Sequence, residues 1–151
     1  MLILEGMTLY LNTQVDLDQA IAALVAADPR LAGIAQVAGQ PALRRREPGF
    51  AGLAAIICGQ QLSTYAAAAI WKRVSDAFEP FHHDLIRTAR PTRLARLGLS
   101  TAKIKTLKAL ARELAAERLD LGTLGQQEAD LAHAALTALH GIGPWTADIY
   151  L

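Results

Sequence analysis

Apolar residues recur at helical spacing along most of the chain. The clearest stripe is Ile104, Leu107, Leu110, Ala111 and Leu114, on one face of a helix predicted over 101–118 with Ser100 as its N-cap. Leu131, Ala135, Leu136 and Leu139 form a second stripe over 128–139. Residues 47–78, EPGFAGLAAIICGQQLSTYAAAAIWKRVSDAF, read as two helices broken near Gly59, the second capped by Ser63. Upstream, Asp16 and Gln19 have capping-box spacing for a helix running to about Ala27, which Asp28-Pro29 ends. Short helices are predicted over 31–37, before the turn at 39–41, and over 91–97, ended by Gly98. Residues 80–83 read as a loop and 122–126 as a link, while weak alternation over 1–15 predicts a short extended arm. The sum is an all-α chain of about eight helices, one domain over 1–151, without repeats or low-complexity linkers.

The final stretch, ALHGIGPWTADIYL, joins two of these helices through glycine. Gly141 stands where a left-handed residue ends the helix before it, and Gly143 permits a second tight bend. Pro144 fits the first helical position, where its missing N–H is no loss. The hairpin then turns backbone N–H groups outward at a helix N-terminus. That arrangement suits a phosphate oxygen, directly or through a monovalent cation. A plain glycine-capped corner between two helices explains the same glycines.

Composition narrows the class without choosing a function. A chain of 151 residues, 52% hydrophobic, is long enough for a substantial core. Its net charge of +1 speaks neither for nor against nucleic acid. The distribution is uneven: Arg87, Arg90, Arg93, Arg96, Lys103, Lys105, Lys108 and Arg112 span a stretch with no acidic residue, and Arg44, Arg45 and Arg46 form a second cluster. Such clustering is either a polyanion footprint or a set of solvated helix faces. About five phosphate contacts would give a log–log salt slope of roughly −4 to −5.

Cys58 is the only cysteine, which excludes a disulfide and a thiolate cluster within the chain, and it reads as a small apolar core residue. His82 and His83 read as loop residues, His140 as a helix-end partner of the dipole, and Tyr65 and Trp71 as core. No apolar run reaches membrane-spanning length, so a cytoplasmic, nucleoid-associated location is expected.

The string L-x-x-L-x-G-I-G-P-W-T-A, from Leu136 to Ala147, resembles the helix-hairpin-helix of the DNA glycosylase superfamily. Trp145 after Gly-Ile-Gly-Pro resembles the branch that removes alkylated purines, the DNA-3-methyladenine glycosylase II type. CGQQLS, around Gln60, is similar to the loop that enters the duplex in those enzymes, and GLSTAKIKTLKALA to the segment that lies near their phosphates. The resemblance implies the helix-hairpin-helix glycosylase fold and a monomer acting on double-stranded DNA containing alkylated bases, with no redox cofactor and no membrane. It implies DNA contacts at Gly141, Ile142, Gly143, Thr146, Gln60, Ser100 and Lys103, and makes Gln61 the wedge that fills the gap left by an extruded nucleotide. Relatives also place an apolar wedge there.

Lyase-type relatives, such as the endonuclease III family, carry a Schiff-base lysine where this chain has Trp145, so amine-based strand cleavage is not expected. An indole face instead attracts a cationic alkylpurine, with Tyr150 a further candidate for the pocket. The family's catalytic Asp lies beyond the helix begun at Pro144, so the resemblance implies that it falls beyond Leu151, that the fold is incomplete at its C-terminus and that this form is inactive. Asp148 is read as a surface residue. A non-catalytic helix-hairpin-helix DNA-binding module is the alternative, and an all-α domain with no nucleic-acid role the remaining one.

Overall fold

A computed structural model describes residues 10–151, and every described element is helical. Residues 1–9, most of the expected extended arm, lie outside the described residues. The chain divides between Arg45 and Arg46 into two compact units. The sequence carries no composition shift there, which is why it reads as one domain over 1–151.

In the first unit, α1 (Gln14–Ala27) and α2 (Leu31–Ala38) form a helical pair. The cap of α1 is Thr13 rather than Asp16. Thr13 Oγ1 accepts from Asp16 N at 3.2 Å, and Asp16 Oδ2 accepts from Thr13 N at 2.7 Å. Asp16 is therefore the reciprocal partner of the capping box, because a short carboxylate at the third helical position reaches back as Glu does. Gln14 holds the following loop, donating to Pro41 O and accepting from Leu43 N, each at 2.9 Å.

The second unit contains α3 (Gly49–Gly59), α4 (Thr64–Ala77), α5 (His83–Thr88), α6 (Pro91–Arg96), α7 (Thr101–Ala115), α8 (Leu121–Leu124), α9 (Ala129–Thr137) and α10 (Pro144–Tyr150). Two of these, α5 and α8, occupy or adjoin stretches read as loop and link; both are short and too brief to show a period. The amphipathic α7 is central, packing on α3, α5 and α6. Ile104, Leu107, Leu110 and Ala111 are buried as expected, with Leu114 at the edge of the same core. That core continues through Leu53, Ile57, Val74, Ile86, Leu94, Leu124 and Leu136.

Helix ends decide where elements stop. α7 closes at Ala115, three residues before the predicted end, because Glu117 adopts φ 54 and Arg118 N donates to Glu113 O at 3.0 Å. Gly98 does the same for α6 at φ 102. Long basic side chains from a neighbouring helix reach the ends of three further helices, and of α6 as well. Lys103 donates to Cys58 O of α3 at 2.8 Å, and Arg93 to Ala77 O of α4 at 2.7 Å. Lys108 donates to Arg87 O and Ala89 O around the end of α5, and Arg73 to Leu97 O after α6 at 3.0 Å.

Candidate nucleic-acid interface

α9 and α10 form the two arms of the C-terminal hairpin. α9 buries Ala132 and Leu136, whereas Leu131, expected inward, is 64% exposed because the buried stripe runs through Ala132 instead. Gly141 has φ 80, and a Cβ there would fall on Thr106 Oγ1, so glycine is required twice over. Gly143 differs from expectation. It is the N-cap of α10 at φ −95 and ψ 175, ordinary extended backbone, and a Cβ would meet nothing within 4 Å. Its absent side chain leaves the outer surface of the bend open rather than permitting a strained turn.

Gly141 and Gly143 are exposed, and among the described residues their amides donate to no other group. Ile142 points the other way: it is buried in the core and its amide donates to Leu139 O at 3.1 Å. Its side chain anchors the bend in the core, and its amide, expected to face DNA, is bound within the chain. Thr146 is also buried, its hydroxyl turned inward.

Beside the hairpin lies a cleft of about 580 Å³. It is lined by Gln60 and Gln61 from the α3–α4 turn, Ser100, Ala102, Lys103 and Thr106 from α7 and its cap, and Gly141, Trp145 and Thr146 from the hairpin. Seven residues singled out from sequence, separated by as many as 86 positions, thus meet in one place. Thr106 and Ala102 were missed, since a small residue on an amphipathic helix, buried as Thr106 is or exposed as Ala102 is, carries no sequence mark of a site.

Several side chains in the cleft are committed to the fold. Gln60 Nε2 donates to Thr146 Oγ1 at 2.9 Å and to Gly141 O at 3.2 Å, so its amide protons face the hairpin and not the solvent. The Lys103 ammonium caps α3, and burial lowers its pKa. Ser100 is the exposed N-cap of α7, accepting from Lys103 N at 3.4 Å. Two groups remain free at the rim. Gln61 is exposed at the tip of its turn with φ 57, a backbone region non-glycine residues enter at a cost. Trp145, on the first turn of α10, is 61% exposed.

Tyr150 does not join them. Its ring packs on the core and its hydroxyl accepts from Gly49 N at 3.0 Å, with burial raising its pKa. Five positions after Trp145, well past one helical turn, it lies on a different face of α10 and meets another neighbour. Tyr65, expected in the core, is 87% exposed on the first turn of α4, while Trp71 packs edge-on to Phe81 as expected of a core residue. Cys58 is fully buried, its thiol pushed up to about 12 by desolvation, which leaves it inert. Asp148 is exposed and faces His133 across the hairpin at 3.3 Å. His82, His83 and Asp84 are close enough to share an ion, yet His82 Nδ1 caps α5 by accepting from Asp84 N. Arg87 occupies Asp84 Oδ1, and none of the three lines the cleft.

Residues 54–144, which hold the turn, α7 and most of the hairpin, match the HhH-GPD superfamily of base excision DNA repair proteins. The chain belongs to that superfamily. A DNA-3-methyladenine glycosylase of Saccharomyces cerevisiae is 33% identical over 115 residues, which cover 70% of this chain and 39% of the yeast protein. The crystal structure of a DNA-3-methyladenine glycosidase from Bacillus halodurans superposes with a TM-score of 0.70 at 30% identity, covering 92% of this chain and 62% of that one. A 3-methyladenine DNA glycosylase of Schizosaccharomyces pombe, solved in complex with abasic DNA, shares the fold with a TM-score of 0.73 at 23% identity. It covers 87% of this chain and 67% of that one. The all-α HhH-GPD fold is thus the fold read from the sequence. Among the described residues no helix is long and apolar enough to cross a membrane.

Proposed function

We propose that this chain recognises alkylated purines in duplex DNA and serves their removal by hydrolysis of the N-glycosidic bond. The observation that carries the reading is the convergence of three groups on one cleft: the exposed bend of the hairpin at Gly141, the exposed Gln61 and the exposed Trp145. The amides of Gly141 and Gly143 would hold a phosphate of one strand. Gln61 would occupy the space an extruded nucleotide leaves. Trp145 would stack on the extruded base, and a methylated purine carries a positive charge that an indole face attracts by up to about 2 kcal/mol when desolvated.

The names of the relatives agree with this chemistry, although the chain spans only 39% of the yeast protein. No residue lining the cleft is a carboxylate, so the role these side chains support is capture and distortion; the departing sugar still needs a negative charge nearby. At the hairpin a phosphate would be held by the glycine amides directly or through a bridging monovalent cation: the carbonyls of Leu139, Gly141 and Gly143 each accept a hydrogen bond, whereas that of Ile142 accepts none from the described residues.

The test compares affinity for an intact duplex, a duplex with an abasic-site analogue and one with an N-methylated purine. A preference for the modified duplexes of about tenfold or more is expected. Equal affinity for all three would support the alternative, a non-catalytic helix-hairpin-helix module, and no affinity for any would overturn both.

A further inference from the structure

Gln60 stands at the junction of two elements to which separate tasks are assigned. It follows the last residue of α3, and Gln61 comes next. Its side-chain nitrogen has two protons to donate. One goes to Gly141 O, just before the bend of the hairpin, and the other to Thr146 Oγ1, just after it. A single amide therefore spans the bend from the inside. The orientation is fixed, because Gly141 O accepts only and so must face the nitrogen.

The α3–α4 turn needs such support. Gln61 sits at φ 57, and a side-chain-bearing residue persists there only when its surroundings over-determine it. Leu62 N donates to Gly59 O at 3.2 Å across the turn. Lys103 holds the preceding carbonyl, Cys58 O, to α7. Gln60 supplies the remaining tether, and that tether runs to the hairpin.

We propose that Gln60 is a positioning residue, not a DNA contact: it couples the hairpin to the wedge turn, so that phosphate capture at Gly141 and Gly143 fixes where Gln61 stands. This rests on the functional reading above and assigns to one residue the linkage between its two halves. Coupling of this kind needs a physical connection that both sites bias, and two hydrogen bonds from one amide are the most direct one here.

The experiment is Gln60→Ala, Gln61→Ala and the double variant in the full 151-residue chain. Affinity for intact and abasic-analogue duplexes is measured, together with the fluorescence of 2-aminopurine placed opposite the abasic site. Gln60→Ala is expected to lower the ratio of abasic to intact affinity about tenfold, the loss of one to two hydrogen bonds. It should also remove the fluorescence change that insertion produces. The double variant should be no worse than either single one, because both changes break the same linkage.

Additive losses, or an equal drop on both duplexes, would show Gln60 to be an independent contact and overturn the proposal. Absence of binding by the unaltered chain would instead defeat the functional reading. Thermal unfolding controls for folding. Should Gln60→Ala fail to fold, Thr146→Val removes one acceptor without changing shape, and a ratio unchanged in that variant counts equally against the coupling.

Discussion

Lys103, in the first turn of α7, donates from Nζ to Cys58 O in the last turn of α3 at 2.8 Å. Read from sequence, Lys103 is a phosphate ligand; in the fold it closes a helix. Arg93 and Lys108, read as part of a basic stretch, also donate to carbonyls, around the ends of α4 and α5, while Arg87 pairs with Asp84. Of the acid-free stretch, the side chains of Arg90, Arg96, Lys105 and Arg112 make no hydrogen bond to another described residue. Carbonyls at a helix end packed against another helix need donors, and a long cationic side chain delivers one across the gap.

Lys103→Met should therefore act on stability. An orphaned, partly buried carbonyl costs about 1–2 kcal/mol, read as a lower midpoint in urea unfolding. Lys105→Met, on the exposed face, should change stability by less than about 0.5 kcal/mol. Equal destabilisation by the two would show that the cap contributes nothing.

The two hairpin glycines are expected to separate fold from function. Gly141→Ala must hold φ 80 and displace the Thr106 hydroxyl, at a cost of at least about 1–3 kcal/mol. Gly143→Ala meets neither obstacle and should leave the unfolding midpoint unchanged. Its methyl group would stand where a phosphate approaches, so duplex affinity should fall for every sequence alike. Undiminished affinity of Gly143→Ala for duplex DNA would remove the phosphate from the bend.

What could be read from the sequence follows what each residue type can signal. Glycine with proline marks a bend whatever surrounds it, and the amphipathic α7 declares its buried face by period alone, so the hairpin and the core were both legible. Seven of the residues singled out for the site do line one cleft. The direction in which a polar side chain points was not legible. Gln60, Lys103 and Thr146 have the chemistry of DNA ligands, yet each is satisfied within the chain by a partner at least 45 positions away. Tyr65 and Leu131 erred the other way, since an aromatic or leucine on a helix cannot say whether a neighbour covers it. Only the packed structure sets that.

Acid should loosen the start of α1. The hydrogen bonds to Thr13, its hydroxyl first, hold the Asp16 carboxyl below its ordinary value of 3.8. A carboxylate with a depressed folded pKa stabilises the helix fully above 3.8, and that support is lost as pH falls below it through the folded value. Helicity followed by circular dichroism from pH 7 downward should show this loss in the unaltered chain. In Asp16→Asn, which has no charge to lose, the same component should be absent. A curve identical in both proteins would mean the capping box is not what acid breaks.

Trp145 offers the sharpest test of base recognition, because exposure and chemistry make opposite demands on it. A tryptophan that is 61% exposed contributes little to the core, so Trp145→Ala should cost less than about 1 kcal/mol of stability. If the ring stacks on a cationic purine, the same change should lower the affinity for duplexes carrying an N-methylated, positively charged purine by up to about thirtyfold. A neutral modified base of similar size should lose less, since only the charge draws on the ring quadrupole. Trp145→Phe keeps a weaker quadrupole and should fall between. The ratio of charged to neutral affinity across tryptophan, phenylalanine and alanine therefore reports the interaction itself. A ratio that stays constant through the series would reduce Trp145 to shape alone, and the cleft to a generic slot for an extruded base.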